Sequence, residues 1–450
     1  MTVFINLQDW LLYLETAYPV GIDMGLVRVK SIKTVLNLQF NCPVIVVGGT
    51  NGKGSTCAIL EAILLNAGYH VGCHTSPHLM EFNERARLDG FNATNDELLP
   101  HFYAIETARL SLPQAVLLTY FEFTTLAIMH LFASRQLDVV ILEVGLGGRL
   151  DAVNIIDADC TIITNVDLDH QHYIGDTREL IGHEKAGIFR SGKPAIIGDP
   201  LPPSSVAQHA KSISADLWLF NRDFCYECHI SSGRQQWSYR GRSLKHVGLA
   251  YPALRGANQL LNAASALAAL EALHELLPVN SQDIHLGLES VRLPGRFQVL
   301  PGRPVIVLDV AHNPHATAIL AKNLSNMGYF PYTYSVFGAM ADKDISSMLA
   351  YLKDEVHYWC ITKLPTSRAI SAVDIKKRLI ALGIPHDNFS ASSGTSIQQF
   401  ENPWLAYKNA LSRASKSDRI VVWGSFYTVS SVMAYLKIRE VSVQSEDQLS

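Results

Sequence analysis

The chain has 450 residues, with 37 Lys and Arg against 41 Asp and Glu, a net charge of −4, 48% hydrophobic residues and 17% charged residues. That apolar content excludes a disordered chain, which needs low hydrophobicity and high net charge, and at roughly 150 residues per domain the length predicts two or three domains. The mildly acidic balance excludes nucleic-acid binding through an overall positive field.

The start, MTVFINLQDWLLYLE, lacks the positive stretch and small-residue cleavage site of a signal peptide. Its Trp10 and leucines at helical spacing predict a first amphipathic helix. No run approaches the roughly 18 apolar residues of a membrane span. Seven cysteines, an odd number, read as reduced thiols of a cytoplasmic protein.

From Val44 to about Pro294 the pattern alternates strand, glycine turn and helix. VIVVGG is a continuous apolar run, as in a strand buried on both faces of a parallel sheet. A helix is expected over Ser55–Ala67, with strands at Val139–Glu143, Thr161–Asn165 and Ala195–Gly198. Further helices are expected at Phe121–Ser134, Arg178–Phe189 and Ala257–Leu276. Between about Leu217 and Leu249, polar-aromatic alternation with Gly233 and Gly241 predicts a small antiparallel patch. Cys225, Cys228 and His229 there form C-x-x-C-H; without export or a second ligand pair this reads as incidental on a strand, not as haem or zinc.

Leu293-Pro294-Gly295-Arg296 predicts a domain boundary, giving domains 1–294 and 295–450. The second has its own α/β series: VIVLDV, a helix from Pro314, YSVFG, a helix from Asp344, HYWCIT, a helix from Ala372, RIVVWG and a last helix. The polar, acidic tail after about Arg439 is expected to fray. The fold class is α/β in both halves.

The strongest chemical signal is Gly48-Gly49-Thr50-Asn51-Gly52-Lys53-Gly54-Ser55-Thr56, set between a buried strand and a helix. Glycines let backbone N–H groups face phosphate oxygens, and the helix start adds a favourable dipole. A lysine there neutralises β and γ phosphates, and a hydroxyl can meet magnesium. The usual G-x-x-x-x-G-K-[ST] spacing is not met: the first gap is one residue short, and Gly54 separates lysine from hydroxyl.

GTNGKGST instead resembles the loop of the Mur ligase superfamily, which uses ATP to join a carboxylate to an amine. The segments SPHLMEFNER (Ser76–Arg85), LTYFEF (Leu118–Phe123), EVGLGGRLDAVN (Glu143–Asn154), DLDH (Asp167–His170) and EKAGIFR (Glu184–Arg190) resemble the dihydrofolate synthase/folylpolyglutamate synthase family. So do LPGRFQ (Leu293–Gln298), DVAHNPHA (Asp309–Ala316), DKD (Asp342–Asp344) and GSFYTV (Gly424–Val429). The likeness implies a P-loop-type Mur ligase central domain, then a Rossmann-like domain that binds glutamate and completes the ATP site.

The resemblance further implies that Thr50 to Thr56 hold ATP together with Asn258, Arg296 and Asp309. It implies two magnesium ions held by Ser55, Ser76, Glu143 and His170, and a Lys185 carbamylated by carbon dioxide. Glu143 also fits by position, at a strand end where α/β sheets place ligands. A carbamate needs a neutral amine, hence a lysine of lowered pKa. The pterin is implied at Asp23, Met24, Gly25, Leu26, Thr119, Tyr120, Phe121, Glu122, Leu150, Asp151 and Ala152. The incoming glutamate is implied at Arg85, His312 and Ser425. Where the family usually shows DATN this chain has DAVN, so Val153 removes a hydroxyl near the pterin.

The implied reaction transfers the γ-phosphoryl of ATP to the carboxylate of dihydropteroate, and the glutamate amine then displaces phosphate. Magnesium ions and Lys53 spread charge on the transferring group, the implied catalytic residues being Lys53, Glu143, His170 and Lys185, and domain closure about Pro294-Gly295 keeps water out. Further glutamates would extend folates at the same site. The expected partners are these small molecules, with no nucleic acid and no membrane, and the expected state is a monomer. Rivals are a single-activity folylpolyglutamate synthase and a nucleotide-regulated binding module without chemistry. A cell-wall Mur enzyme would need a further domain of roughly 100 residues ahead of the loop. A GTPase would need an N-K-x-D element, which the sequence lacks.

Overall fold

A computed structural model describes residues 4–18, 22–231, 234–385 and 396–447. The chain forms two compact units: Met1–Ala253 with Gln259–Arg292, and Leu254–Asn258 with Leu293–Ser450.

The first unit is built on eight strands: β1 (Val44–Gly48), β2 (Val71–His74), β3 (Ala86–Leu88), β4 (Phe91–Asn92), β5 (Val139–Glu143), β6 (Cys160–Ile163), β7 (Pro194–Ile197) and β8 (Asp216–Leu219). Their order is β4-β3-β2-β5-β1-β6-β7-β8. The six from β2 to β8 in that order run parallel, and the β2–β3–β4 pairings are antiparallel. β1 and β5 are buried at every position, which is why both read as unbroken apolar runs. The helix Tyr120–Ala133 supplies Phe123 and Leu126 to the core, and the first helix, Leu7–Ala17, supplies Trp10. The Trp10 ring meets Phe102 edge-on, with centroids 6.0 Å apart.

The antiparallel patch is narrower than expected. Its strands are β9 (Cys225–Ser231), β10 (Arg234–Arg240) and β11 (Lys245–Ala250), ordered β11-β10-β9. The segment from Leu217 instead belongs to β8, which pairs parallel with β7 through Ile196↔Trp218. Gly233 lies outside the described residues. Cys225 and Cys228 are free and lie three residues apart on β9, so their side chains leave opposite faces of the strand. Two helix bounds differ from expectation. The expected Ala257–Leu276 helix is Gln259–Ala272, followed by a separate helix Ser281–Ser290 whose first turn is capped by the Asn280 side chain. Arg178–Ala186 stops at Gly187 rather than at Phe189.

The second unit has β12 (Gln298–Leu300), β13 (Val305–Asp309), β14 (Thr333–Phe337), β15 (Tyr358–Thr362), β16 (Ser396–Phe400) and β17 (Arg419–Trp423), ordered β12-β13-β17-β14-β15-β16. All pairings are parallel except β12–β13. Helices begin at Pro314, Ile345 and Ala372, with Asn313, Asp344 and Ser371 as their N-caps. The tail differs from expectation: the last helix runs from Phe426 to Asp447, through a stretch with no glycine or proline to stop it. Among the described residues no helix is long and apolar enough to cross a membrane.

Candidate active site

β1 lies parallel between β5 and β6, with Val47 beside Glu143 and Gly48 beside Ile163. The loop after Gly48, the Glu143 carboxylate and the segment after Ile163 therefore leave the sheet at one carboxyl edge, where parallel sheets bind ligands.

The loop needs its glycines. Gly49 has φ +138°, and a Cβ there would sit 1.9 Å from Thr164 Oγ1; Gly52 has φ +86°, with Asn262 Oδ1 2.6 Å from its would-be Cβ. Thr50 N donates to Asn165 O at 2.9 Å, and Asn51 N to Asn165 Oδ1 at 3.0 Å. The Thr50 hydroxyl donates to Asp167 O at 3.1 Å and accepts from Asp167 N at 2.9 Å. The amides of Thr50 and Asn51 are thus engaged within the protein. The helix Lys53–Asn66 makes its first i→i−4 bond at Thr56 N, to Gly52 O at 2.9 Å. The amides of Lys53, Gly54 and Ser55 precede that bond and are the donors a helix start offers an anion. Lys53 Nζ lies over the loop, 3.1 Å from Gly49 O and 3.2 Å from Thr50 O. The Thr56 hydroxyl bonds Gly52 O, so its oxygen serves the helix.

Glu143 is buried, and its Oε2 accepts from Ser76 N at 2.9 Å. Ser76 thus reaches Glu143 although the two are far apart in sequence. His170 starts the short helix Gln171–Ile174 with φ +52°, and its Nε2 is 3.9 Å from Asp169 Oδ1. Asp169 lies in the DLDH segment, where the resemblance assigns a role only to His170. Carboxylate and hydroxyl oxygens are the donors a hard divalent cation prefers. No group of three or more His, Cys, Asp and Glu converges as a metal cage among the described residues. An ion here would therefore take much of its shell from phosphate and water, as magnesium does.

Lys185 is buried in the last turn of Arg178–Ala186. Burial, then the charge of Lys53, push its amine down to about 7, against the pull of Asp169 and Asp151. The 145–151 loop packs on this helix: a Cβ at Gly148 would lie 2.8 Å from Lys185 O and 2.9 Å from Glu184 O. Arg149 N donates to Glu184 O at 2.8 Å.

Three segments converge where the pterin residues were expected. The Phe121 ring lies against Gly145, where a Cβ would come within 2.4 Å of Cζ. Met24 Cε is 3.5 Å from the would-be Cβ of Gly147. Asp151 is buried, and burial pushes its carboxyl up to about 6, opposed by the amides it accepts. Its Oδ1 takes Val153 N at 3.0 Å and its Oδ2 takes Leu146 N at 2.9 Å. Thr119 and Glu122 form a capping box on Tyr120–Ala133, each side chain bonding the other's amide. Leu150 is half-buried and Ala152 is buried beside Asp151. Gly25 and Leu26 lead into the helix Val27–Val35. Val153 is fully buried in the core, so its methyls pack inward. Arg28, which the sequence gave no reason to single out, ion-pairs with both Asp23 (2.8 Å) and Glu122 (2.9 Å).

Arg85 is buried. Its Nε donates to His78 Nδ1 at 2.8 Å, and its guanidinium lies 5.8 Å from the Phe82 ring and 5.7 Å from the Tyr120 ring. Burial and then Arg85 push His78 down to about 4, so it accepts as a neutral imidazole.

In the second unit Asp309 ends β13 and accepts from Ala311 N at 2.7 Å and Phe297 N at 3.0 Å. Burial pushes its carboxyl up to about 6, with Arg296 opposing. Arg296 lies 5.1 Å from the Phe426 ring, and the His312 ring is 6.1 Å from the same residue. Ser425 is buried and its Oγ accepts from Tyr427 N at 3.2 Å. Phe426 thus links Arg296 to His312 and sits next to Ser425, a grouping the sequence did not reveal. Asn258 is half-buried within Leu254–Asn258, a stretch that belongs to this unit; the adjacent Ala257 N bonds Asn323 Oδ1 at 2.9 Å.

Residues 47–270 match the Mur ligase middle domain and 295–426 the Mur ligase glutamate ligase domain. The structure is similar to that of E. coli FolC in complex with DHPP and ADP, at TM-score 0.88 and 39% identity, covering 97% of this chain and 98% of that one. It is also similar to a bifunctional folylpolyglutamate synthase/dihydrofolate synthase with Mn, AMPPNP and L-glutamate bound, at TM-score 0.85 and 40% identity, covering 96% and 98%. In sequence it is 40% identical over 434 residues to the dihydrofolate synthase/folylpolyglutamate synthase of Escherichia coli K12, spanning 96% of both chains. With the phosphate-type loop and Glu143 on one sheet edge and this likeness over nearly its whole length, the chain belongs to the dihydrofolate synthase/folylpolyglutamate synthase family of Mur ligases.

Proposed function

We propose that the chain is an ATP-dependent carbon–nitrogen ligase that joins L-glutamate to dihydropteroate, giving dihydrofolate, and adds further glutamates to reduced folates. The observation that carries this reading is that the Gly48–Thr56 loop and Glu143 leave the sheet at one carboxyl edge, with a buried lysine, its amine near 7, in electrostatic reach of Lys53. A divalent ion, magnesium in our reading, would be held by Ser55, Ser76, Glu143 and His170. When bound it supplies positive charge to the transferring phosphoryl group.

The amides of Lys53, Gly54 and Ser55 and the Lys53 ammonium receive the phosphates, with Thr50, Asn51, Gly52 and Thr56 shaping the loop. The dihydropteroate carboxylate attacks the γ-phosphorus of ATP, the bond to the β–γ bridging oxygen breaks, and ADP leaves. The glutamate amine then attacks the acyl carbon, loses a proton, and expels phosphate. No side-chain nucleophile is needed. Lys185 is half neutral near pH 7; its neutral amine adds to carbon dioxide and loses one proton to give a carbamate anion, the ammonium form having first released a proton of its own. Asp23–Leu26, Thr119–Glu122 and Leu150–Ala152 form the pterin pocket. Asp151 and Glu122 act there chiefly by fixing backbone, since their oxygens accept main-chain amides. Asn258, Arg296 and Asp309 are assigned to the nucleotide, and Arg85, His312 and Ser425 to glutamate.

Phosphate release from ATP with a divalent ion should require both dihydropteroate and glutamate. Parallel reactions with tetrahydrofolate separate a bifunctional enzyme from a single-step one. Phosphate release that ignores the pterin would refute the reading.

A further inference from the structure

Arg28 stands in the first turn of Val27–Val35, a turn with no acidic residue. A cation there opposes the helix dipole, so the helix itself gives no reason for it. Its contacts supply one. Nη1 donates to Asp23 Oδ2 at 2.8 Å and Nη2 to Asp23 O at 2.8 Å. Nη2 also reaches Glu122 Oε1 at 2.9 Å, and Nε lies 3.2 Å from both Glu122 oxygens. Tyr18 Oη adds a bond to Asp23 Oδ2 at 2.5 Å, while Glu122 Oε2 also holds Thr119 N at 2.8 Å.

This fork joins the two segments whose neighbours, Met24 and Phe121, pack on the 145–151 loop. Both acids hold Arg28, Glu122 through both oxygens and Asp23 through Oδ2 and its main-chain carbonyl. What the network sets is the separation of the Met24 and Phe121 backbones.

We propose that Arg28 is a positioning residue for dihydropteroate: its fork fixes the Asp23–Leu26 segment against the Thr119–Glu122 helix start and so sets the width of the pterin pocket. The inference rests on the pterin reading above and deepens it. It assigns the affinity of one substrate, not the phosphoryl chemistry, to a residue that touches no substrate.

The test uses the full-length enzyme with three variants. Arg28→Lys keeps a charge beside buried Glu122 but loses the planar fork. Asp23→Asn, at a residue of the pterin pocket itself, removes the charge of the other arm while the Nη2 bond to Asp23 O and the Arg28–Glu122 pair stay in place. At roughly the strength of hydrogen bonds to charged groups, each should raise KM for dihydropteroate about tenfold or more, with KM for ATP and glutamate within about twofold and kcat within about threefold. Arg28→Gln, which leaves Glu122 without its cation, should be worse than Arg28→Lys, so that lysine is a partial rescue. A dihydropteroate KM within about twofold of wild type in Arg28→Lys, whatever Asp23→Asn does, or an equal rise in KM for ATP, overturns the proposal. A wild-type chain that turns over no dihydropteroate refutes the functional reading and this proposal with it. An active wild type with an unchanged Arg28→Lys variant refutes only the proposal.

Discussion

Lys185→Met separates the cost of a buried amine from its use. The folded chain lowers this amine from the ordinary 10.5 to about 7. At 1.36 kcal/mol per decade of proton affinity, the difference corresponds to about 5 kcal/mol. The sign follows from proton counts. Between pH 7 and 10.5 the unfolded lysine keeps its proton and the folded one has lost it, so wild-type stability rises with pH across that window. Below about 7 both states hold the proton and the full cost is present. Methionine fills similar space without the charge, so Lys185→Met should be most stabilising at pH 6, by up to about 5 kcal/mol less what Asp169 and Asp151 lose with their cationic neighbour. The gain should shrink by about 1.4 kcal/mol per pH unit above 7. Calorimetry in carbon-dioxide-free buffer at pH 6, 8 and 10 reads this as a rise in Tm of several degrees that fades with pH. The same variant should lose about 10²–10³-fold in turnover, the scale of one lost electrostatic contact. A Tm at pH 6 equal to or below wild type, or a gain that does not change with pH, would refute the neutral-amine argument.

Lys53→Ala should lower kcat by about 10²–10³-fold with an unchanged melting curve, measured by coupled phosphate release. Gly148→Ala should destabilise by about 1–3 kcal/mol in denaturant titration, because its Cβ meets the carbonyls of Lys185 and Glu184 rather than a movable side chain. Val153→Thr buries a hydroxyl in the core and should cost about 1–3 kcal/mol, while KM for dihydropteroate stays put, since the side chain packs inward. A changed KM there would place position 153 in the pocket. Chelation by EDTA should stop phosphate release, with activity returning on addition of magnesium or manganese.

The parts of the site legible in the sequence are those whose backbone demands a residue type locally. Gly49 and Gly52 are readable because no side chain fits their conformation and surroundings, and the lysine and hydroxyls follow them within a few positions. Val139–Glu143 is readable because burial on both faces leaves only apolar choices until the strand ends. Arg28, His78, Asp169 and Phe426 carry no such mark. Arg28 meets Glu122 across 94 positions, a distance over which a single sequence holds no pairing signal. The Leu217 segment was misread because a short edge strand alternates like an antiparallel one, and its parallel partner lies in a separate stretch of chain. The tail was misread because polarity says nothing about helix formation when no breaker intervenes.

The mutual bonds between Thr50 and Asp167, and between Asn51 and Asn165, make the Gly48–Thr56 loop a finished piece of the folded chain. Fixing a residue's backbone costs roughly 1–2 kcal/mol of entropy, and here folding has already met that cost before any ligand arrives. Nucleotide affinity can then reflect contacts alone, little eroded by ordering. The Thr50 and Asn51 amides should exchange with deuterium slowly even in the ligand-free protein.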